Sequence, residues 1–154
     1  MGSAPSLDWV SVSASELSVD QLTTWATRDT TGAVVSFSGA VRSTSGDHDD
    51  ITSLEYDASE ELAERRIRDI IAVARSRWPQ IVAVAVHHRT GVVRLGESSV
   101  IVVVSSAHRR EAFEASMFCI DTLKSAVPIW KRDIWDGGSA WSSDVRAITE
   151  IPEP

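Results

Sequence analysis

Five consecutive β-branched residues, VIVVV at positions 100–104, restrict what this chain can become. Branching at Cβ stiffens χ1 and favours a pleated backbone over a helix. A strand sends alternate side chains to opposite faces, so a run with no polar position belongs to a strand buried on both sides. The fold must therefore contain a central strand with apolar cover above and below it.

The rest of the chain reads as elements suited to that task. Residues 7–13 (LDWVSVS) alternate weakly and predict a first strand. Ser18 followed by Gln21 resembles a capping box and opens a helix that runs to about Arg28. Residues 32–42 (GAVVSFSGAVR) are small or β-branched and predict a strand. Residues 43–50 form a polar, Gly-containing loop expected to be mobile, and 51–56 a short strand with Ile51, Leu54 and Tyr56 available for packing. Ser59 starts the clearest helix, with Leu62, Ile67, Ile70, Ile71 and Ala74 near helical spacing, ended by Trp78 and Pro79. Strands follow at 81–88, 92–95 and 99–105, the last two joined by a turn at Gly96. A second long helix spans about 108–125, with Phe113, Met117, Ile120 and Leu123 on its apolar face. Pro128 ends it, 128–135 is a late strand, Asp136-Gly137-Gly138 is a turn, and the tail after Trp141 is irregular. Strands outnumber helices and short turns join neighbours, which predicts an α+β fold with a mostly antiparallel sheet.

With 154 residues the chain suits one domain, 1–154. No apolar run reaches the ~18 residues of a membrane span, and MGSAPSLDW has no basic region followed by an apolar stretch, so neither a span nor a secretory signal is expected. The single cysteine, Cys119, excludes an internal disulfide and fits a cytoplasmic setting. A net charge of −7 argues against general nucleic-acid binding. Yet the charge is uneven. Residues 47–64 hold eight acids and no Lys or Arg, whereas over 105–132 the cations Arg109, Arg110, Lys124, Lys131 and Arg132 outnumber the acids. Such a segment fits a small-anion site, and equally a solvated mixed-charge face.

Of 15 basic residues only two are lysine, Lys124 and Lys131, seven positions apart. A lysine amine can lose its proton and act as base or nucleophile, which an arginine cannot. Lys124 falls one turn after Ile120 at the edge of the apolar face, where a half-buried amine is a better base than a solvated one. On the following strand Ile129, Lys131 and Asp133 share one side, with Trp130 and Arg132 on the other. The helix-to-strand reversal brings the two amines near each other. The alternative is a pair of lysines that snorkel to solvent. At the junction SSAHRREAF a helix start meets His108, Arg109 and Arg110, a place where backbone amides attract anions. The same residues also fit an ordinary helix start, though cations carry the wrong sign for that end. Arg42 closes its strand beside the polar loop and suits a phosphate contact. His87 and His88 are adjacent on a strand, so they cannot chelate one metal together, and His48 lies in the acidic loop. No CxxC, HExxH, GxGxxG, P-loop or GxSxG is present, which predicts no metal and no cofactor. Cys119 sits mid-helix and reads as packing.

In combination, the stretches GAVVSFSGAVRS, LEYDAS, RWPQIVAVAVHHRTGVVRLGESSVIVVVSSAHRREAF and IDTLKSAVPIWKRDIWDGGSAW resemble the large, catalytic subunit of the molybdopterin synthase family over residues 32–141. The HRxGxxxxGE run from His88, the AHR step and the LKxxxPIWK box carry the resemblance. It implies an α/β hammerhead-type fold with a flanking antiparallel subdomain. It implies a homodimer, each protomer binding a small ubiquitin-like sulfur carrier to give a heterotetramer. The carrier's C-terminal Gly-Gly thiocarboxylate would deliver sulfur to cyclic pyranopterin monophosphate, forming the dithiolene of molybdopterin. Residue by residue, Lys124 and Lys131 match the family's catalytic lysines, and Arg42, His108 and Arg109 the residues lining the pocket for the pterin phosphate. Arg146 is the candidate for a C-terminal arginine lent to the partner protomer, although its spacing from Trp141 is off by one. Ser59 and Leu62 replace an aromatic and a Met that the family often carries, and ITEIPEP does not align. Two other classes fit parts of the pattern. A non-catalytic adaptor for a ubiquitin-like protein would not need both lysines. An anion-binding domain without turnover would need the arginines and histidine, but no deprotonatable amine.

Overall fold

The computed structural model describes residues 7–45, 48–142 and 148–154. Its elements in chain order are β1 (Asp8–Ser13), α1 (Val19–Ala26), β2 (Ala33–Ala40), β3 (Ile51–Asp57), α2 (Glu60–Arg77), β4 (Ile81–Arg89), β5 (Gly91–Arg94), β6 (Ser98–Ser106), α3 (Arg109–Ala126), β7 (Trp130–Trp135) and β8 (Gly138–Trp141). They build two four-stranded sheets, ordered β1-β4-β6-β2 and β5-β3-β7-β8. Only the β1–β4 pair is parallel, as expected of a mostly antiparallel α+β fold.

The valine run lies where its composition demands. β6 pairs with β4 on one side and β2 on the other, and all of residues 99–106 are buried. Val100, Val102 and Val104 join Val84 and Val86 in a core closed by Ile67, Ile70, Ile71 and Ala74 of α2 and by Ala115, Cys119 and Leu123 of α3. Ile101 and Val103 face the other way, with Ala83 and Ala85, onto Leu22 and Ala26 of α1. The second sheet has its own small core of Val41, Ile51, Leu54 and Val93, with Tyr56 and Trp135 against it.

The caps agree with the expected starts. The Ser18 hydroxyl accepts from the Gln21 backbone amide, and the Ser59 hydroxyl from that of Leu62. Gly91 and Gly96 flank β5 and both adopt positive φ, 77° and 80°, in open space. Backbone conformation, not crowding, is what calls for glycine at these two turns. Together they carry the chain out of the first sheet at β4, through β5, and back at β6. β5 and β6 are therefore neighbours in sequence but not in space, since β5 pairs with β3.

Three expectations about faces are corrected. Leu62 is 41% exposed, and Phe113 and Met117 are each 62% exposed. α3 instead presents Ala112, Ala115, Ser116, Cys119, Thr122 and Leu123 to the protein interior. This smaller-residue face lets the helix approach the sheet closely, and it displaces the bulky apolar positions onto the outside. The described ends of the 43–50 loop make specific contacts. Ser45 and His48 exchange two backbone hydrogen bonds, of 2.7 and 2.9 Å, and the His48 ring stacks on Trp135 at 3.9 Å.

Replacing Ile101 by Ala should cost about 2–5 kcal/mol, because the site is closed on both sides and cannot collapse. Met117→Ala should change stability by no more than about 0.5 kcal/mol. Urea unfolding of the two variants measures both, and equal effects would contradict this assignment of the faces.

Candidate active site

A cavity of about 640 Å³ opens where the two sheets meet the end of α3. The first sheet contributes Gly39, His88, Ser99 and Val100, and the second contributes Tyr56 and Lys131. The last turns of α3 bring Ile120, Leu123 and Lys124, and the segment after β2 brings Arg42. The chain's only two lysines thus line one cavity together with Arg42.

Local folding explains the convergence. α3 is capped at Val127, whose amide donates to the Leu123 carbonyl, and the Ile129 amide then donates to Val127. That tight reversal feeds β7, where Lys131 sits opposite Tyr56 and Asp133 opposite Leu54. Directly opposed residues share a face, so Lys131, Asp133, Leu54 and Tyr56 look to one side, with Glu55 and Arg132 on the other. Arg132 is hydrogen-bonded to Glu55 and lies over the Trp141 ring. Lys131 is partly buried, whereas Lys124 and Arg42 are exposed; Lys124 is not the half-buried amine its position on the helix predicts.

Behind the lysines is a polar wall that sequence reasoning missed. The Tyr56 hydroxyl bonds Ser99, whose hydroxyl donates to the Gly39 carbonyl at 3.1 Å. Burial raises the Tyr56 pKa, and the charge of buried Asp133 adds to this, so Tyr56 is a hydrogen-bonding group and not a base. Its ring meets His88 edge-on at 5.0 Å. His88 Nδ1 lies 2.7 Å from the Arg89 carbonyl. A carbonyl only accepts, so the neutral ring carries its hydrogen on Nδ1 and keeps a lone pair on Nε2. His87 points to the other face of the sheet, against Trp9. The clues to this wall in the sequence are His88, which opens the HRxGxxxxGE run and otherwise counts only against a shared metal, and Tyr56, which reads as a packing residue.

Cys119 is buried in the main core, and that burial pushes its thiol up to about 12. It has neither the exposure nor the ionisation of a sulfur nucleophile.

His108 and Arg109 do not line this cavity. They are exposed at the start of α3, sixteen and fifteen residues before Lys124, which is roughly 22–24 Å along a helix axis. Arg110 beside them is committed to Glu114 at 2.9 Å. Arg146 lies outside the described residues.

Fold and cavity together define an α+β protein with a cationic, amine-bearing cleft at the seam of two sheets. The profile of the MoaE protein family matches residues 12–126. A "Molybdopterin synthase catalytic subunit" of Nostoc sp. is 42% identical over 137 residues, covering 88% of this chain and 82% of the relative. One from Thermoplasma volcanium is 49% identical over 112 residues, covering 73% and 80%. The crystal structure of molybdopterin synthase from Staphylococcus aureus superposes with a TM-score of 0.80 at 32% identity, covering 86% of this chain and 96% of that one. The chain belongs to the MoaE family of molybdopterin synthase catalytic subunits.

Burial lowers the His88 pKa from 6.5 to about 4, and lowers that of His87 as well. Between those pH values the unfolded chain binds a proton that folded His88 refuses. The stability it contributes is therefore complete above about pH 6.5 and is lost as the pH falls through about 4. In urea titrations the wild-type advantage over His88→Asn should shrink by up to about 3 kcal/mol across that window. A constant difference from pH 7 to pH 4 would contradict the burial of a neutral imidazole.

Proposed function

We propose that this chain transfers sulfur from the C-terminal Gly-Gly thiocarboxylate of a small ubiquitin-like carrier subunit to cyclic pyranopterin monophosphate, building the molybdopterin dithiolene in two successive transfers. The observation that carries this reading is the meeting of Lys124, Lys131 and Arg42 around one cavity. Guanidinium and ammonium groups suit a phosphorylated substrate and a carboxylate-like carrier terminus alike. Lys124, exposed at the cavity, exchanges protons during ring opening and thiocarboxylate attack. Lys131, more enclosed and braced on β7 opposite Tyr56, stabilises negative charge as it develops. The inert Cys119 supports a sulfur source outside the chain.

Arg42 belongs to the phosphate end of the site. His108 and Arg109, remote from their own cavity, serve that of the second protomer in a homodimer, and each protomer takes one carrier to give a heterotetramer. Arg146 is proposed to reach across in the same way. Turnover requires no metal or cofactor in this scheme. Among the described residues no helix is long and apolar enough to cross a membrane. A cytoplasmic location is proposed, consistent with a single buried thiol. An adaptor or a simple anion-binding domain accounts less well for two amines in one cleft.

Reconstitution with thiocarboxylated carrier and the cyclic pterin, followed by mass spectrometry, tests the activity directly. Lys124→Ala should abolish dithiolene formation and leave carrier binding intact; normal turnover in that variant would remove the assigned role. Cys119 should resist an aromatic disulfide reagent until the protein is unfolded, and Cys119→Ala should retain activity. Loss of turnover in a folded Cys119→Ala protein would point instead to sulfur carried on the chain itself.

A further inference from the structure

A helix ends with backbone carbonyls that have no partner within the helix. Near the end of α3, two of them are taken by distant parts of the chain. The Ser125 carbonyl accepts from the Thr149 amide at 2.8 Å and from the Thr149 hydroxyl at 3.1 Å. The Ala126 carbonyl accepts from Arg66 of α2 twice, from Nε at 3.1 Å and Nη2 at 2.9 Å. The same Nη2 also donates to the Thr149 carbonyl at 3.1 Å. One guanidinium thus ties α2, the end of α3 and the carboxy-terminal segment together. That segment is held again further on, where Arg77 donates to the Glu153 carbonyl at 2.7 Å and Ile151 packs against the main core. Its first described residue, Ile148, lines the cavity beside Lys124.

The two clamped carbonyls belong to the residues that directly follow Lys124. We propose that Arg66 and the segment 148–154 form a clamp on the end of α3 that sets the position of Lys124, which makes Arg66 a positioning residue for the sulfur transfer proposed above. The inference rests on that reading for its catalytic consequence, but not for the clamp itself. Only a planar guanidinium offers a fixed fork to two carbonyls; an ammonium on a flexible stem has no such fork.

Because the chain has only two lysines, acylation by a soluble amine reagent, read at each lysine by mass spectrometry, reports on the cavity without a background of other lysines. Arg66→Ala should raise the labelling rate of Lys124 at least about threefold and lower turnover about tenfold, while KM for the cyclic pterin and carrier affinity stay within about twofold. Arg66→Lys should fall between it and the wild type. Arg75 provides the control. It is equally committed at the other end of α2, to Asp8 and to the carbonyls of Leu7, Ile81 and Val82. Arg75→Ala should label Lys124 at the wild-type rate. Labelling of Lys124 at or below the wild-type rate in Arg66→Ala overturns the clamp, as does an equal rise in Arg75→Ala. If Arg66→Ala fails to fold, Arg66→Lys and Thr149→Val, which removes only the hydroxyl bond to Ser125, decide by the same labelling. If the wild type makes no dithiolene yet Arg66→Ala still raises the labelling rate of Lys124, the clamp stands and the sulfur-transfer reading falls.

Discussion

The alternation along β6 is the constraint on which the molecule is built. Val100, Val102 and Val104 need cover on one face and Ile101 and Val103 on the other. At roughly 25 cal/mol per Å² of buried apolar surface, leaving either face open would cost several kcal/mol per pair of residues. Two long helices meet one demand and the short α1 meets the other. The flanking strands then satisfy the backbone of β6 by pairing on both edges. With those places filled, α3 has one course left, across the face shared by β6 and β2. Its last turn therefore arrives at the end of the sheet where β4 leaves for β5 and β6 returns from it.

That end is where chemistry becomes possible. The strands of the first sheet stop, the second sheet starts, and the seam leaves a cavity that neither apolar core fills. Two of the polar groups there are held by backbone carbonyls. Ser99 donates to Gly39, and His88 donates to Arg89. Those pairings leave cationic groups as the reactive surface. Arginine serves elsewhere in the chain as a clamp or a surface cation, while both amines are kept for the seam. An amine can change its protonation state during a reaction, and a guanidinium cannot.

Much of this is legible in the amino-acid sequence, for identifiable reasons. Element types followed from β-branched runs, from capping serines at Ser18 and Ser59, and from prolines that end helices. Lys124 and Lys131 were singled out by scarcity and spacing, and a seven-residue separation across a tight reversal does bring them to one cavity. What failed was the ranking of side chains by size. Phe113 and Met117 look like the core face of α3, but the sheet accepts only the close approach that Ala112, Ala115 and Cys119 permit. Pairing was also invisible. Nothing in the residues around Gly96 says that β5 and β6 part company there, because the choice is made by the edge of β3. The Tyr56–Ser99–Gly39 wall combines three separate strands, and no local pattern announces such a meeting. The resemblance assigns His108 and Arg109 to the anion pocket, but they are exposed at the start of α3 and the length of that helix separates them from Lys124 in the same chain.

This separation is itself informative. A cation such as Arg109 in the first turn of a helix opposes the macrodipole, and His108 at the cap position makes no side-chain capping bond. One turn further along the helix begins an exposed apolar pair, Phe113 and Met117. Unfavourable charge placement and unburied apolar surface on neighbouring turns are two separate costs to a lone protomer. A single change of state relieves both. In the homodimer proposed above, a second copy docked over this end of α3 would cover apolar surface there and bring Arg109 toward an anionic substrate in that copy's cavity.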